Sequence, residues 1–187
     1  MNRSTLDKLI SSTGLLVAIV LIAASGALFY AHGFIHTQVV NQLSAEKIYF
    51  PAAGSSSLTA LPAADKDAMT QYAGQQLTTG AQAKVWADDF IAVHLQKIGG
   101  GMTYAQLSAQ SMADPSNTML AKQVQTVFQG ETLRGLLLNA YAFDTMATVA
   151  YMAALGALAA GVVLLILAAL GFYHSGRVKG QKRTKRS

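Results

Sequence analysis

The chain contains no cysteine. That absence excludes a disulfide framework, a thiolate metal site and a cysteine nucleophile, and it suits either side of a membrane. Charge is scarce too. Asp, Glu, Lys and Arg make up 12% of the 187 residues, against about 25% in an ordinary soluble domain. Two runs, residues 9–30 and 145–173, hold no charged residue and no proline. The tail after residue 173 has no acid. No G-x-S-x-G elbow and no Ser/His/Asp constellation occurs, and the one glycine run, Gly99-Gly100-Gly101, is not followed by GK[ST], as a phosphate loop would be.

What is present is apolar. Hydrophobic residues reach 52% and the mean hydropathy is +0.33, the balance of a membrane protein. Each uncharged run is long enough to cross a bilayer as a helix, which takes about 20 residues. The expected fold is therefore an all-α membrane protein, with two transmembrane helices flanking an extracytoplasmic helical domain. Residues 1–8 form a cytoplasmic N-terminus, 9–30 the first span, 31–144 the helical domain, 145–173 the second span and 174–187 a basic cytoplasmic tail. A cleaved signal peptide is the rival reading of the first run, given Arg3, Lys8 and the small residues of AASGA, but the run exceeds the usual apolar region of a signal.

Orientation follows from cations near the spans, which favour the cytoplasm. The tail carries Arg177, Lys179, Lys182, Arg183, Lys185 and Arg186, and the N-terminus has Arg3 and Lys8. The formal charge of +5 is thus segregated, because the segment between the spans has six cations against eight acids. A pI near 9.5 reports the tail and does not imply nucleic acid as a partner. Phe29, Tyr30, Tyr151, Phe172 and Tyr173 fall near the expected interfaces, where aromatic rings are favoured.

Between the spans the pattern is helical, with no convincing strand pair, sustained heptad or internal repeat. Residues 31–45 continue the first helix. Pro51 makes Phe50 extended, and AAGSSS reads as a loop. A second helix opens at Pro62 with Asp65 and Asp67 in its first turns and runs to about Leu77. A third spans about Ala81–Ile98 and ends at the three glycines. Thr103 caps a fourth, Asp114-Pro115 breaks it, and a fifth runs from about Ser116 to Gln129. Gly130 marks a weak joint before a helix that feeds the second span.

Few side chains point to chemistry. His32 and His36 share a helix face at metal-ligand spacing, but no Glu adjoins the first, and a third ligand would come from His94. The plainer reading makes His32 and His36 interfacial polar residues and His94 a buried neutral histidine with one hydrogen bond. Asp88 and Asp89 are adjacent, so they do not face each other on a helix and read as solvated charges. Glu131 and Arg134 suit a local ion pair, and Arg134 alternatively meets a lipid headgroup or a partner's acid. The scattered methionines outline no haem or copper site, so no cofactor is expected.

Small residues mark the spans. Ala153, Ala157 and Gly161 step by four, as do Gly156 and Ala160, and the first span offers Gly14 with Ala18. Such spacing lets helix backbones approach closely in lipid. Pairing of the two spans within the chain is the plainer reading, and a seam for another membrane protein or a second copy is the alternative; a helix has more than one face, so the two are compatible. The tail lacks apolar periodicity and reads as disordered, with its six cations beside anionic lipid.

The stretch VWADDFIAVHLQKIGGGMTYAQLS, with EKIYFP before it and VFQGETLRGLLLNAYAF after it, resembles small actinobacterial two-span membrane proteins of unknown function. Phe50-Pro51, the His94–Tyr104 segment, and Gly130–Gly135 with Leu136–Tyr141 carry the likeness. Some members of that family bear the label aromatic ring-opening dioxygenase, which would imply a non-haem iron held by histidines and a carboxylate. The resemblance implies topology and lineage. Together with the residues it leads to an expected role as a non-catalytic accessory or scaffold protein of the cell envelope. A ligand-binding sensor domain that signals through a partner is the alternative, and a metal-dependent envelope enzyme using His32, His36 and His94 is a minor one.

Overall fold

The computed structural model describes the backbone of residues 3–184 and the side chains of residues 5–177. Among the described residues every regular element is a helix: α1 (Arg3–Ala45), α2 (Ser56–Thr59), α3 (Ala63–Thr70), α4 (Gly80–Val85), a π-helical turn (Trp86–Ile91), α5 (Ala92–Ile98), α6 (Tyr104–Ala113) and α7 (Thr118–Thr184). Two of them, α1 and α7, are long and apolar enough to cross a membrane. The chain divides into two compact units, one of Met1–Phe34 with Ala147–Ser187, the other of Ile35–Met146.

In the first unit α1 and α7 pair antiparallel. Gly14 lies against Ala168, Ile22 against Gly161, and Ser25 against Ala154. The buried positions recur every seven residues: Ser11, Ala18 and Ser25 on α1, and Ala147, Ala154, Gly161, Ala168 and Ser175 on α7. The sequence reading noted only steps of four along these helices. The repeat escapes an apolar reading because small residues fill it, two of them serines on α1. Close approach is the physical reason. A Cβ on Gly161 would lie 2.8 Å from Ile22 Cγ1, and one on Gly171 would run into Ser11 Oγ. Packing at this range and the bond from Ser25 Oγ to Ala154 O (2.9 Å) hold the pair. Large residues such as Leu16, Ile19, Val163 and Leu167 face outward.

The second unit is built differently. Val39 and Leu43 of α1, Phe50, Leu58, Leu61, Met69, Leu77, Ala83, Ala87, Ile91, Leu95 and Leu137 of α7 form one buried cluster. Burying each large member contributes about 1.5–3 kcal/mol. Lys47 takes a left-handed conformation (φ 51°) as α1 ends. The chain then runs extended through Phe50, as Pro51 requires, and forms a single antiparallel bridge between Tyr49 and Gln76. Phe50 N–H donates to Gln75 O (2.8 Å) and Leu77 N–H to Ile48 O (2.9 Å).

That bridge explains one departure from the sequence reading. α3 ends at Thr70 rather than near Leu77, because Gly74 (φ 73°) turns the chain and its N–H donates to Phe50 O. The AAGSSS loop also runs into a one-turn helix, α2. The third expected helix is present as α4, the π turn and α5 in unbroken succession. Thr79 starts it with a capping box: its Oγ1 accepts from Gln82 N–H (3.2 Å), and Gln82 Oε1 accepts from Thr79 N–H (3.1 Å). Gly100 and Gly101, both at positive φ, end it. Thr103 caps α6 by the same device.

α7 is a single helix from Thr118, so Gly130 is not a joint. It is a packing contact, and a Cβ there would collide with Leu95 Cδ2. At the far end the helix continues to Thr184, where disorder was expected. Arg177 sits over the Tyr173 ring at 4.8 Å. The side chains of Lys179, Lys182 and Arg183, and all of Lys185 and Arg186, lie outside the described residues.

Candidate functional site

The polar side chains of the second unit gather where the π turn meets α7. Asp88, in that turn, accepts from Lys84 Nζ at 2.5 Å and from Arg134 Nη2 at 2.9 Å. Arg134 Nη1 lies 3.6 Å from Glu131 Oε2, and Lys84 Nζ sits 5.8 Å from the centre of the Tyr141 ring. Asp88 is therefore not a freely solvated charge, as its sequence position suggested. It ties the turn to a residue 46 positions away. Arg134 makes the expected local pair with Glu131, but its shorter bond is to Asp88.

The neighbouring carboxylates titrate in opposite directions. Burial works to raise Asp88, but the hydrogen bonds and charges of Lys84 and Arg134 outweigh it and hold the group below the ordinary range. Lys84 and Arg134 rise in turn, each chiefly through its bond to Asp88. Asp89 points elsewhere, as adjacent helical residues must. Burial pushes its carboxyl up, and the charge and hydrogen bond of Asp65 push it further. This Asp65–Asp89 pairing has no signal in the sequence, where the two lie 24 positions apart on what read as separate helices.

The histidines do not converge. His94 Nδ1 is engaged by Phe90 O one turn back (2.7 Å), and its side chain is half-buried rather than buried as the sequence reading had it. His36 Nδ1 meets Asp144 Oδ1 (3.0 Å), and Asp144 Oδ2 accepts from Gly80 N–H (3.0 Å). A Cβ on Gly80 would stand 2.5 Å from Asp144 Cβ, so glycine is required there. In the first unit, His32 Nδ1 meets Ala147 O (2.8 Å) and its ring packs on Tyr151 at 5.1 Å. Among the described residues no three His, Cys, Asp or Glu side chains are grouped to hold a metal. The residues present do not fit a facial iron centre of two histidines and a carboxylate.

Phe50, Trp86, Phe90 and His94 make a run of ring contacts at 5.1, 4.8 and 4.4 Å, with Tyr72 also against Phe50 at 5.2 Å. Phe50 is buried, and the other four are half-buried. The π turn contributes Trp86 and Phe90 to this run.

Of the small residues singled out in the sequence, Gly14, Ala18 and Gly161 lie in the intrachain seam, and Ala157 is half-buried. Ala153, Gly156 and Ala160 are exposed on the outer side of α7. Buried Ser11, Ser25 and Ser175 were missed, and their seven-residue register with Ala18 and Ala168 is the signal that reveals them.

No protein family, no characterised protein and no solved structure matches this chain.

Proposed function

We propose that this chain is a two-span integral membrane protein of the cell envelope. In this reading both termini are cytoplasmic and residues 31–144 lie outside. The chain works as a non-catalytic accessory or scaffold subunit that presents its helical domain to a membrane partner. One observation carries the reading. The intrachain seam consumes one face of α7, through Ala147, Ala154, Gly161 and Ala168, while Ala153, Gly156 and Ala160 stay uncovered. A helix with small residues on two faces packs closely against one neighbour and retains a surface for a second. In the second unit Lys84, Asp88, Arg134, Thr79 and Gln82 are meanwhile engaged in ion pairs and a cap that hold its own helices together.

The test is affinity purification of the full chain from membranes in mild detergent. A stoichiometric membrane protein should accompany it, and Gly156→Leu with Ala160→Leu should release that protein. Recovery of the chain alone overturns the proposal. Topology is checked separately with single cysteines introduced at Ser55 and Ser187. An impermeant maleimide should label the first in intact cells and spare the second.

The half-buried aromatic run at the π turn favours a second reading, a ligand-binding module that signals through its partner, since π turns occur often at functional sites. Thermal-shift screening of the full chain tests it, and flat responses across small-molecule classes remove its motive.

A further inference from the structure

The end of the helix pair where α1 begins holds two buried polar atoms with no hydrogen-bond partner among the described residues, Asp7 Oδ2 and Ser175 Oγ. Ser175 is 1% exposed. The antiparallel register sets Gly171 against Ser11 and Ala168 against Gly14, so one turn further out Ser175 comes level with Asp7. Beside Asp7 runs a groove of about 390 Å³, with Asp7, Ser11 and His174 as its polar lining and Ile10, Leu164 and Leu167 as its apolar lining. That volume lies in the range of small-molecule sites, about 300–1,000 Å³.

A carboxylate oxygen removed from water needs a donor. A hard metal ion does not fit, because it takes about six or more oxygen ligands, and one carboxylate with hydroxyls falls short. Water would serve the polar atoms but not the apolar walls. A primary ammonium on a hydrocarbon body answers both. It brings three N–H donors and a charge opposite to that of Asp7, and its chain covers Ile10, Leu164 and Leu167. On a helix pair apolar enough to cross a bilayer, the surrounding supply of that chemistry is lipid.

We propose that this groove binds a phospholipid with a primary ammonium headgroup, with Asp7 as counter-ion and the acyl chain along Leu164 and Leu167. The inference rests on the membrane-spanning reading of α1 and α7. The probe is the full chain reconstituted into vesicles of equal phosphatidylethanolamine, phosphatidylcholine and phosphatidylglycerol, followed by native mass spectrometry of retained lipid.

Phosphatidylethanolamine should exceed phosphatidylcholine by about fivefold, the scale of one charge-assisted hydrogen bond shared with headgroup water. Asp7→Asn should bring the two to parity while leaving phosphatidylglycerol retention at the basic tail unchanged. Leu164→Trp, which fills the groove and keeps the acid, should also abolish the preference, and circular dichroism confirms that both variants stay helical. Parity of phosphatidylethanolamine and phosphatidylcholine in the wild type, or an Asp7→Asn variant that keeps the preference, overturns the proposal. Release of the protein by carbonate washing would instead sink the spanning reading, so the two failures are distinct.

Discussion

α7 buries Ala147, Ala154, Gly161, Ala168 and Ser175 in one unit, yet Val127 and Leu137 in the other. The same helix thus obeys two packing rules. In the first unit nearly all large side chains face out and the seam is made of hydroxyls, methyls and bare backbone, the arrangement that lipid favours. In the second, Leu58, Met69 and Leu77 are fully enclosed and charges sit at the margin, the arrangement that water favours. Stability in the first unit should therefore hinge on close approach, and in the second on apolar volume and a few long-range polar ties.

The sharpest way to break that contrast is bulk at the seam. Gly161→Leu should cost about 2–3 kcal/mol or separate the helices outright, because even a Cβ added there would meet Ile22 and the backbone of Ala18. Ala153→Leu, on the exposed side of the same helix, should leave the pairing intact. Steric-trapping measurements in bicelles compare the two. Gly130→Ala tests the other unit. It should lower stability by about 1–2 kcal/mol by displacing Leu95, read from Trp86, the only tryptophan in the chain.

Charge changes come next, at about 1 kcal/mol or less for part-exposed groups. Arg134→Ala removes a partner of Asp88 and should destabilise the second unit at neutral pH. Asp88 has a depressed carboxyl, so its contribution is present above the ordinary carboxylate range and is lost as pH falls through the lowered value. Wild type and Arg134→Ala should therefore converge in acid. Asp89 has a raised carboxyl, so its favourable state exists below the ordinary range and is lost as pH rises through the higher value. Asp89→Asn should then raise the unfolding temperature at pH 7 and give no gain near pH 3. The smallest effect belongs to Ser25→Ala, about 0.6 kcal/mol for one interhelical hydrogen bond in lipid.

Much of this was legible beforehand. The two uncharged runs and the caps at Thr103 and the three glycines are local signals, and α1, α6 and the end of α5 follow them. What escaped was nonlocal. α3 stops early because Ile48 and Phe50 recruit the backbone of Gly74 and Leu77, and no pattern within the helix announces that. Gly130 looked like a breaker because glycine weakens an isolated helix, whereas its lack of a side chain admits Leu95. Asp88 and Asp89 looked alike in sequence, and the partners that separate them, Arg134 and Asp65, come from distant segments. Steps of four drew attention to Ala153 and Gly156, while the seam runs in steps of seven.

The register of α1 against α7 is the central claim, and the absence of native cysteine makes it directly measurable. A Cβ at Gly14 would lie 3.9 Å from Ala168 Cβ, close to the separation of about 3.8 Å that a disulfide needs. The double variant Gly14→Cys/Ala168→Cys should oxidise within one chain in native membranes and run as a compact monomer on non-reducing gels, while Gly14→Cys/Gly156→Cys should stay reduced. Failure of the first pair to close, or equal closure of both, would contradict the paired-helix architecture.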